Sequence, residues 1–195
     1  MEITRKLAQR VDEVVRAGLV RGVGEPVPSQ MCVEAAVCYA LGEPHGDAPS
    51  CVGSAVRAFK IRLNDAAWPS NEARAQGMRK LAIAQLGSDS IDQQKFAKLV
   101  TLATIREVLA KLLRVRGFAT EATVCERVET LQQAHVATKT AKEKLEAAYA
   151  AYAADAAAYA AYAADAAALN LSADIGLRAL IALKSPGTRW LDIVT

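Results

Sequence analysis

"AAYAAYAADAAAYAAYAADA", residues 147–166, is one decapeptide written twice. Alanine is the best helix former, so the tract reads as the middle of a long helix. A ten-residue period at ~100° per residue slips by ~80° each repeat, so Tyr149, Tyr152, Tyr159 and Tyr162 wind round that helix and form no single seam. Alanine lets a neighbouring helix approach closely, while the tyrosine rings supply area and hydroxyl groups. The expectation is a subunit contact, a homo-oligomer built through the 141–168 helix. An ice-binding face would call for threonines, and the tract has none.

The rest of the chain shares this bias. Aromatic residues make up 5% of the 195 positions, and β-branched runs are scarce, which disfavours sheet. The expected fold is all-α, a multi-helix bundle with a long alanine-rich helix. Its expected division is a helical core domain at 1–118 and, at 119–195, the long Ala/Tyr-rich helix with a C-terminal helix, packed on the core or on another subunit. A formal charge of +3 is too small to argue for nucleic acid. No apolar run reaches the ~20 residues of a membrane span. Four irregularly spaced cysteines without a signal peptide suggest reduced thiols and a cytoplasmic protein.

Outward from the tract, about seven helices are expected. Ile3, Leu7, Val11, Val14 and Val15 share one face of the first, which Gly18 ends. Ser29 is the expected cap of a second helix running to Leu41, where Gly42 and Pro44 stop it. A third runs from Cys51 to Leu63 with Val52, Val56, Phe59 and Leu63 inward. Ser70 caps a fourth that ends near Gly87. Ser90 and Gln93 form a capping box before "FAKLVTLATIREVLAKLLRVRG", residues 96–117, the most apolar helix. Thr120 opens the long stretch into the alanine tract. Ser172 caps the last helix, and "TRWLDIVT" at 188–195 docks on the body.

The chemistry-bearing residues concentrate in "SQMCVEAAVCYALGEPHGDAPSCVGS", residues 29–54. A zinc site would use Cys32, Cys38, His45 and Cys51. Six helical positions turn through ~600°, so Cys32 and Cys38 point some 120° apart and no metal or other cofactor is expected. As a nucleophile, Cys32 would sit in the first turn of a helix, where the dipole lowers a thiol pKa. "SQMCVEAAV" resembles papain-like and bacteriocin-processing cysteine peptidases in the glutamine upstream and the small-residue helix after the cysteine. Those families place their histidine on a sheet far downstream. Here His135 falls in the helical stripe Val124, Val128, Leu131, His135, and no strand is expected. A cysteine hydrolase using Cys32 and His45 is therefore the alternative. The first reading is that the cysteines are small core residues and that the loop residues His45 and Asp47 carry function.

At "MCVEAAVCYALGEPHGD", followed by "CV" at 51–52, "LNDAAW" at 63–68 and "LAIAQLGS" at 81–88, the chain resembles uncharacterised proteins of bacteriophage and bacterial genomes. Tyr-Ala-Ala-Asp tracts are similar to those of phage-encoded chains. The resemblance implies no activity. It suggests a viral or mobile-element role, such as blunting a host defence.

Residues 55–80 then carry Arg57, Lys60, Arg62, Arg74, Arg79 and Lys80 against only Asp65 and Glu72. Arg57, Lys60 and Arg74 are placed to converge with His45 and Trp68. Arginine binds phosphate bidentately, and an exposed tryptophan stacks on a base. Trp68 is either a core plug or a ligand platform. A duplex groove would need a denser basic stripe. The expected function is non-enzymatic binding of an anionic, nucleotide-like small molecule through His45, Asp47, Arg57, Lys60, Arg62, Trp68 and Arg74. A host protein is the other expected partner, which would make the chain an interaction or inhibitor module.

Overall fold

A computed structural model describes residues 1–151 and 155–194, with side chains for 1–144 and 166–194. Among the described residues the architecture is an all-α multi-helix bundle: α1 (Arg5–Arg16), α2 (Val33–Leu41), α3 (Ser54–Asn64), α4 (Asn71–Ala84), α5 (Gln93–Ala103), α6 (Ala110–Val115), α7 (Ala119–Glu126), α8 (Leu131–Ala151) and α9 (Asp155–Ala182). A π-helical turn at Thr104–Leu109 joins α5 to α6, and a 3₁₀ segment covers Pro186–Ile193. The extended pairing among these residues is one isolated bridge, Gly24 to Met31. No helix among them is long and apolar enough to cross a membrane. The tyrosines of the tandem repeat, and the subunit contact expected of them, lie outside the described side chains.

Several helix starts differ from the sequence reading, each for a local reason. Ser29 does not cap α2. It adopts φ 71° inside the loop that the Gly24–Met31 bridge closes, and the cap is Cys32, whose thiol accepts from the Ala35 N–H at 3.3 Å. The third helix starts at Ser54 after Gly53, not at Cys51. Asp92 takes the role expected of the Ser90/Gln93 box: its carboxylate accepts from the Lys95 N–H at 2.9 Å, while Gln93 turns back to the Ser88 and Ile91 carbonyls. The helix expected to open near Thr120 breaks after Glu126 and restarts at Leu131. There Thr130 and Gln133 form a capping box, the hydroxyl accepting from Gln133 N–H and the Gln133 side-chain amide oxygen accepting from Thr130 N–H. Ser172 lies inside α9 and back-bonds to the Ala168 carbonyl at 2.8 Å, so it is no cap.

The chain divides into two units, Met1–Ala97 with Ala173–Thr195, and Lys98–Ser172. The boundary read from the sequence, 118/119, falls inside the second. In the first unit α2 is wedged among α1, α3 and α4, and all its residues but Tyr39 and Leu41 are buried. The 3₁₀ segment docks on α1 and α4, as the C-terminal apolar residues suggested. Trp190 donates its indole N–H to the Ile3 carbonyl, and Ser185 donates to the Ala84 carbonyl. Gly187 permits this seat, because a Cβ there would lie 2.1 Å from the Ile83 carbonyl oxygen. The second unit has an apolar core of Leu102, Ile105, Leu113, Cys125 and Val128, against which α8 lays Ala134, Ala137 and Ala141. Those three alanines recur at helical spacing and give α8 a flat contact face.

Candidate functional site

A short, apolar helix ought not to carry a charge inward, yet α2 buries Glu34 completely. Its place in the first turn gives the carboxylate the favourable end of the helix dipole. Opposite it, α3 presents Lys60 on the stripe of Val56 and Leu63, four residues after the one and three before the other, so the amine is drawn into the core with them. Gln85, at the C-terminal end of α4, is the third buried polar side chain of the group.

The three are enclosed but not satisfied. Lys60 Nζ lies 3.8 Å from Glu34 Oε1, beyond hydrogen-bond length, with both side chains 0% exposed. Both Glu34 oxygens, the amine and both polar atoms of Gln85 are buried without a hydrogen-bond partner. Gln85 sits close enough to the carboxylate to stabilise its charge, but outside bonding geometry. Burial pushes the Glu34 carboxyl above its ordinary range, against the pull of Lys60, Gln85 and Arg57, while Asp47 pushes the same way as burial. Burial also lowers the Lys60 amine to about 8, against Glu34, Cys32 and Cys51. Most buried polar groups in folded proteins are bonded, so three unbonded ones in contact mark an unusual place.

Beside Glu34 lies a cavity of about 60 Å³, lined by Cys32, Asp47, Ile61, Asn64 and Asp65 as well as by Glu34, with Gly22 and Val23 above. That volume matches about two waters at their liquid share of ~30 Å³ each. The roof is the loop from Gly18 to Met31, whose residues 21–30 are all exposed. It is tied down by a few polar contacts. Asp65 accepts from the Gly22 N–H at 2.8 Å, and Asn64 donates to the Val20 carbonyl at 2.9 Å and accepts from the Val33 N–H at 3.2 Å. Gly24 holds φ 72°, and a Cβ there would sit 1.9 Å from the Gln30 carbonyl oxygen. From the next loop His45 Nε2 reaches the Gly24 carbonyl oxygen at 2.9 Å, joining the roof to the turn that carries Asp47.

The candidate binding residues are thus sorted. Asp47 lines the cavity, the charge of Arg57 reaches Glu34, and His45 clips the roof. Lys60 is buried beside Glu34 and belongs to no exposed basic face. Arg62 is exposed on α3. Trp68 is 7% exposed and donates its indole N–H to the Leu63 carbonyl at 2.8 Å, so it is the plug and not the platform. Arg74 is a brace: its guanidinium donates to the Asn64 carbonyl at 2.8 Å, the Leu19 carbonyl at 3.3 Å and the Asn71 side chain. Glu34 and Gln85 escaped the sequence reading. Their signal was present as a lone charge in "CVEAAVC" and a lone amide in "LAIAQL".

The cysteines take the role of small core groups. Cys32, Cys38, Cys51 and Cys125 are free and buried, and burial raises every one of their thiols, Cys38 to about 12. A nucleophilic thiol needs the opposite shift. Among the described residues no group of three or more His, Cys, Asp or Glu is arranged to hold a metal ion. The second unit has a shallow groove of about 610 Å³ between α7 and α8, lined by Val124, Arg127, Val128, Gln133 and Val136. Among the described residues that line it, none is a buried polar group. Comparison with protein-family models, curated proteins and solved structures returns no match for this chain.

Proposed function

We propose that this chain is a non-enzymatic binding protein that holds an anionic, nucleotide-like small molecule in the cleft between the 18–31 loop, the turn carrying His45 and Asp47, and α3. The observation that carries the reading is the cavity beneath the 18–31 loop, walled by Asp47, Asn64 and Asp65 and bordered by Glu34, which is buried with Lys60 and Gln85 without hydrogen-bond partners. Arg57 and the exposed Arg62 provide the cationic side for the ligand's anionic group. Capture without chemistry fits the raised thiols better than hydrolysis does.

In the phage setting that the sequence motifs resemble, the same activity would be a sponge for a defence signal. Self-association through the 141–168 helix is part of the proposal and rests on the tandem Ala/Tyr repeat. Calorimetric titration with adenine and guanine mononucleotides and cyclic dinucleotides is the direct assay, with light scattering of the same samples for assembly. Saturable binding that is lost in the Arg57→Ala/Arg62→Ala variant is the expected result. Absence of binding to every anion tested overturns the reading and leaves the interaction module.

A further inference from the structure

We infer that the groove between α7 and α8 is the receiving surface for the tandem Ala/Tyr/Asp tract, residues 147–166, of a second copy of this chain. This rests on the self-association proposed above and specifies the surface that takes the tract.

The chemistry of the groove sets what can lie in it. Val124, Val128, Val136 and Ala137 form its apolar wall, and Val124 and Val136 are exposed. Leu131, the first residue of α8, exposes another large apolar side chain in the same stretch of chain. Apolar side chains gathered at a surface mark an interaction site. Among the lining residues Arg127 is the one that is charged, it is exposed, and no carboxylate stands with it. The Gln133 side-chain oxygen already accepts from the Glu129 and Thr130 N–H groups, which leaves its amide N–H₂ as a donor. Residues 127–144 carry the same sign, with Arg127, Lys139, Lys142 and Lys144 against Glu129 and Glu143. The matching occupant has small apolar side chains, carboxylates and hydroxyl acceptors.

The tract has that composition. Residues 147–166 are alanine and tyrosine apart from Asp155 and Asp165. From Leu145 to Leu177 the chain carries Glu146, Asp155, Asp165 and Asp174 and no lysine or arginine, so its charge is opposite to that of 127–144. Alanine allows close approach, a use already made where Ala134, Ala137 and Ala141 of α8 join the core of the second unit. Tyrosine adds area and a hydroxyl that accepts from an amide. The start of the tract, Ala147–Ala151, continues α8 and stands ten positions beyond Ala137, about 15 Å along the same helix and away from its own groove. A second copy running antiparallel brings a tract back to the groove. The exchange is reciprocal, each copy giving one tract and receiving one, which closes a two-fold dimer.

The test is charge reversal read by light scattering over a concentration series, with circular dichroism to establish that each variant is folded. Wild type is expected to be a dimer. Arg127→Glu and Asp155→Lys/Asp165→Lys are each expected to weaken it at least about tenfold by setting like charges against each other. An equimolar mixture of those two variants is expected to regain the dimer mass, since every groove then meets a tract of opposite charge. Val136→Glu, which changes the apolar wall and leaves Arg127 in place, is expected to weaken the dimer as well. A dimer that survives both Arg127→Glu and Val136→Glu overturns the inference and leaves self-association through another face. Variants that dissociate singly and fail to recover on mixing also overturn it, because the tract then acts within its own chain. Wild type that is monomeric at every concentration overturns the inference and the self-association together. Should the aspartate variant unfold, Arg127→Glu and Val136→Glu decide.

Discussion

Two of the charged pairs in the first unit, both reaching into its interior, are built in opposite ways. Asp12 and Arg79 meet side-on across α1 and α4, with Nε to Oδ1 at 2.5 Å and Nη2 to Oδ2 at 2.8 Å. Their side chains keep 6% and 20% exposure, so part of the hydration survives. Glu34 and Lys60 are sealed at 0%, approach only to 3.8 Å and form no hydrogen bond. The first arrangement holds helices together. The second has been given the desolvation cost of a buried pair without the bonds that offset it. A fold selected for stability alone would fill that position with leucine and methionine. The comparison teaches that burial of charge is offset by bonds in one pair and left without that compensation in the other.

The largest effect expected from breaking this comparison follows removal of one member of the sealed pair. Lys60→Met leaves a buried carboxylate alone and should cost about 3–5 kcal/mol in urea unfolding, whereas Glu34→Leu with Lys60→Met should be neutral or stabilising by about 1–4 kcal/mol. Asp12→Ala should cost less than the single lysine change, about 1–3 kcal/mol, since Arg79 can recover water. A double variant as unstable as Lys60→Met would mean that the pair stabilises the fold as a unit, and the contrast with Asp12–Arg79 would collapse.

The same pair sharpens the contrast through pH. Lys60 has its amine lowered from 10.5 to about 8 by burial. Between those values the unfolded chain binds more protons than the folded one, so stability rises with pH across that window. Glu34 is raised above 4.5 by burial, so just above that value the folded chain binds more protons and stability falls as pH rises. Wild type measured against the Glu34→Leu/Lys60→Met double should therefore show its lowest relative stability near neutrality, with recovery toward pH 10. A relative stability that declines steadily above pH 8 would show that Lys60 is held as a favourable cation.

Helix content was legible because alanine and the apolar stripes act locally, through propensity and period. Cap identities were not, since a capping side chain is chosen by which loop backbone happens to turn. Ser29 looks like a cap, but the Gly24–Met31 bridge holds the chain extended until Cys32. The site was half legible. Of the residues marked by loop position and charge, Asp47 lines the cavity, His45 clips its roof, and the charge of Arg57 acts on Glu34. Lys60 was read as a surface cation because lysines rarely bury, although its place on the Val56–Leu63 stripe pointed inward. Trp68 and Arg74 are chemically suited to a ligand, but each finds its partner in a backbone carbonyl supplied by tertiary folding. No spacing in the sequence reveals which carbonyl will be near.

The smallest effect expected is at the residue that first drew attention. Cys32 is 4% exposed and sits on the cavity wall, so a nucleophile there would lose all activity on change to serine. As a cap the outcome is different. A hydroxyl placed where the thiol stands can accept from the Ala35 N–H that now reaches sulfur at 3.3 Å, and serine is among the preferred cap residues. The gain in cap strength works against the cost of burying a hydroxyl, and the net change in unfolding free energy should stay within about 1 kcal/mol. Cys32→Ala, which keeps the small volume but removes the acceptor, should cost about 0.5–2 kcal/mol by loss of the cap. Serine at or above alanine in stability, with nucleotide titration unchanged in both, fits a structural thiol beside a binding cavity. Serine that matches wild type in stability yet abolishes turnover of an ester or amide substrate would restore the hydrolase reading and turn the raised thiol into a resting state.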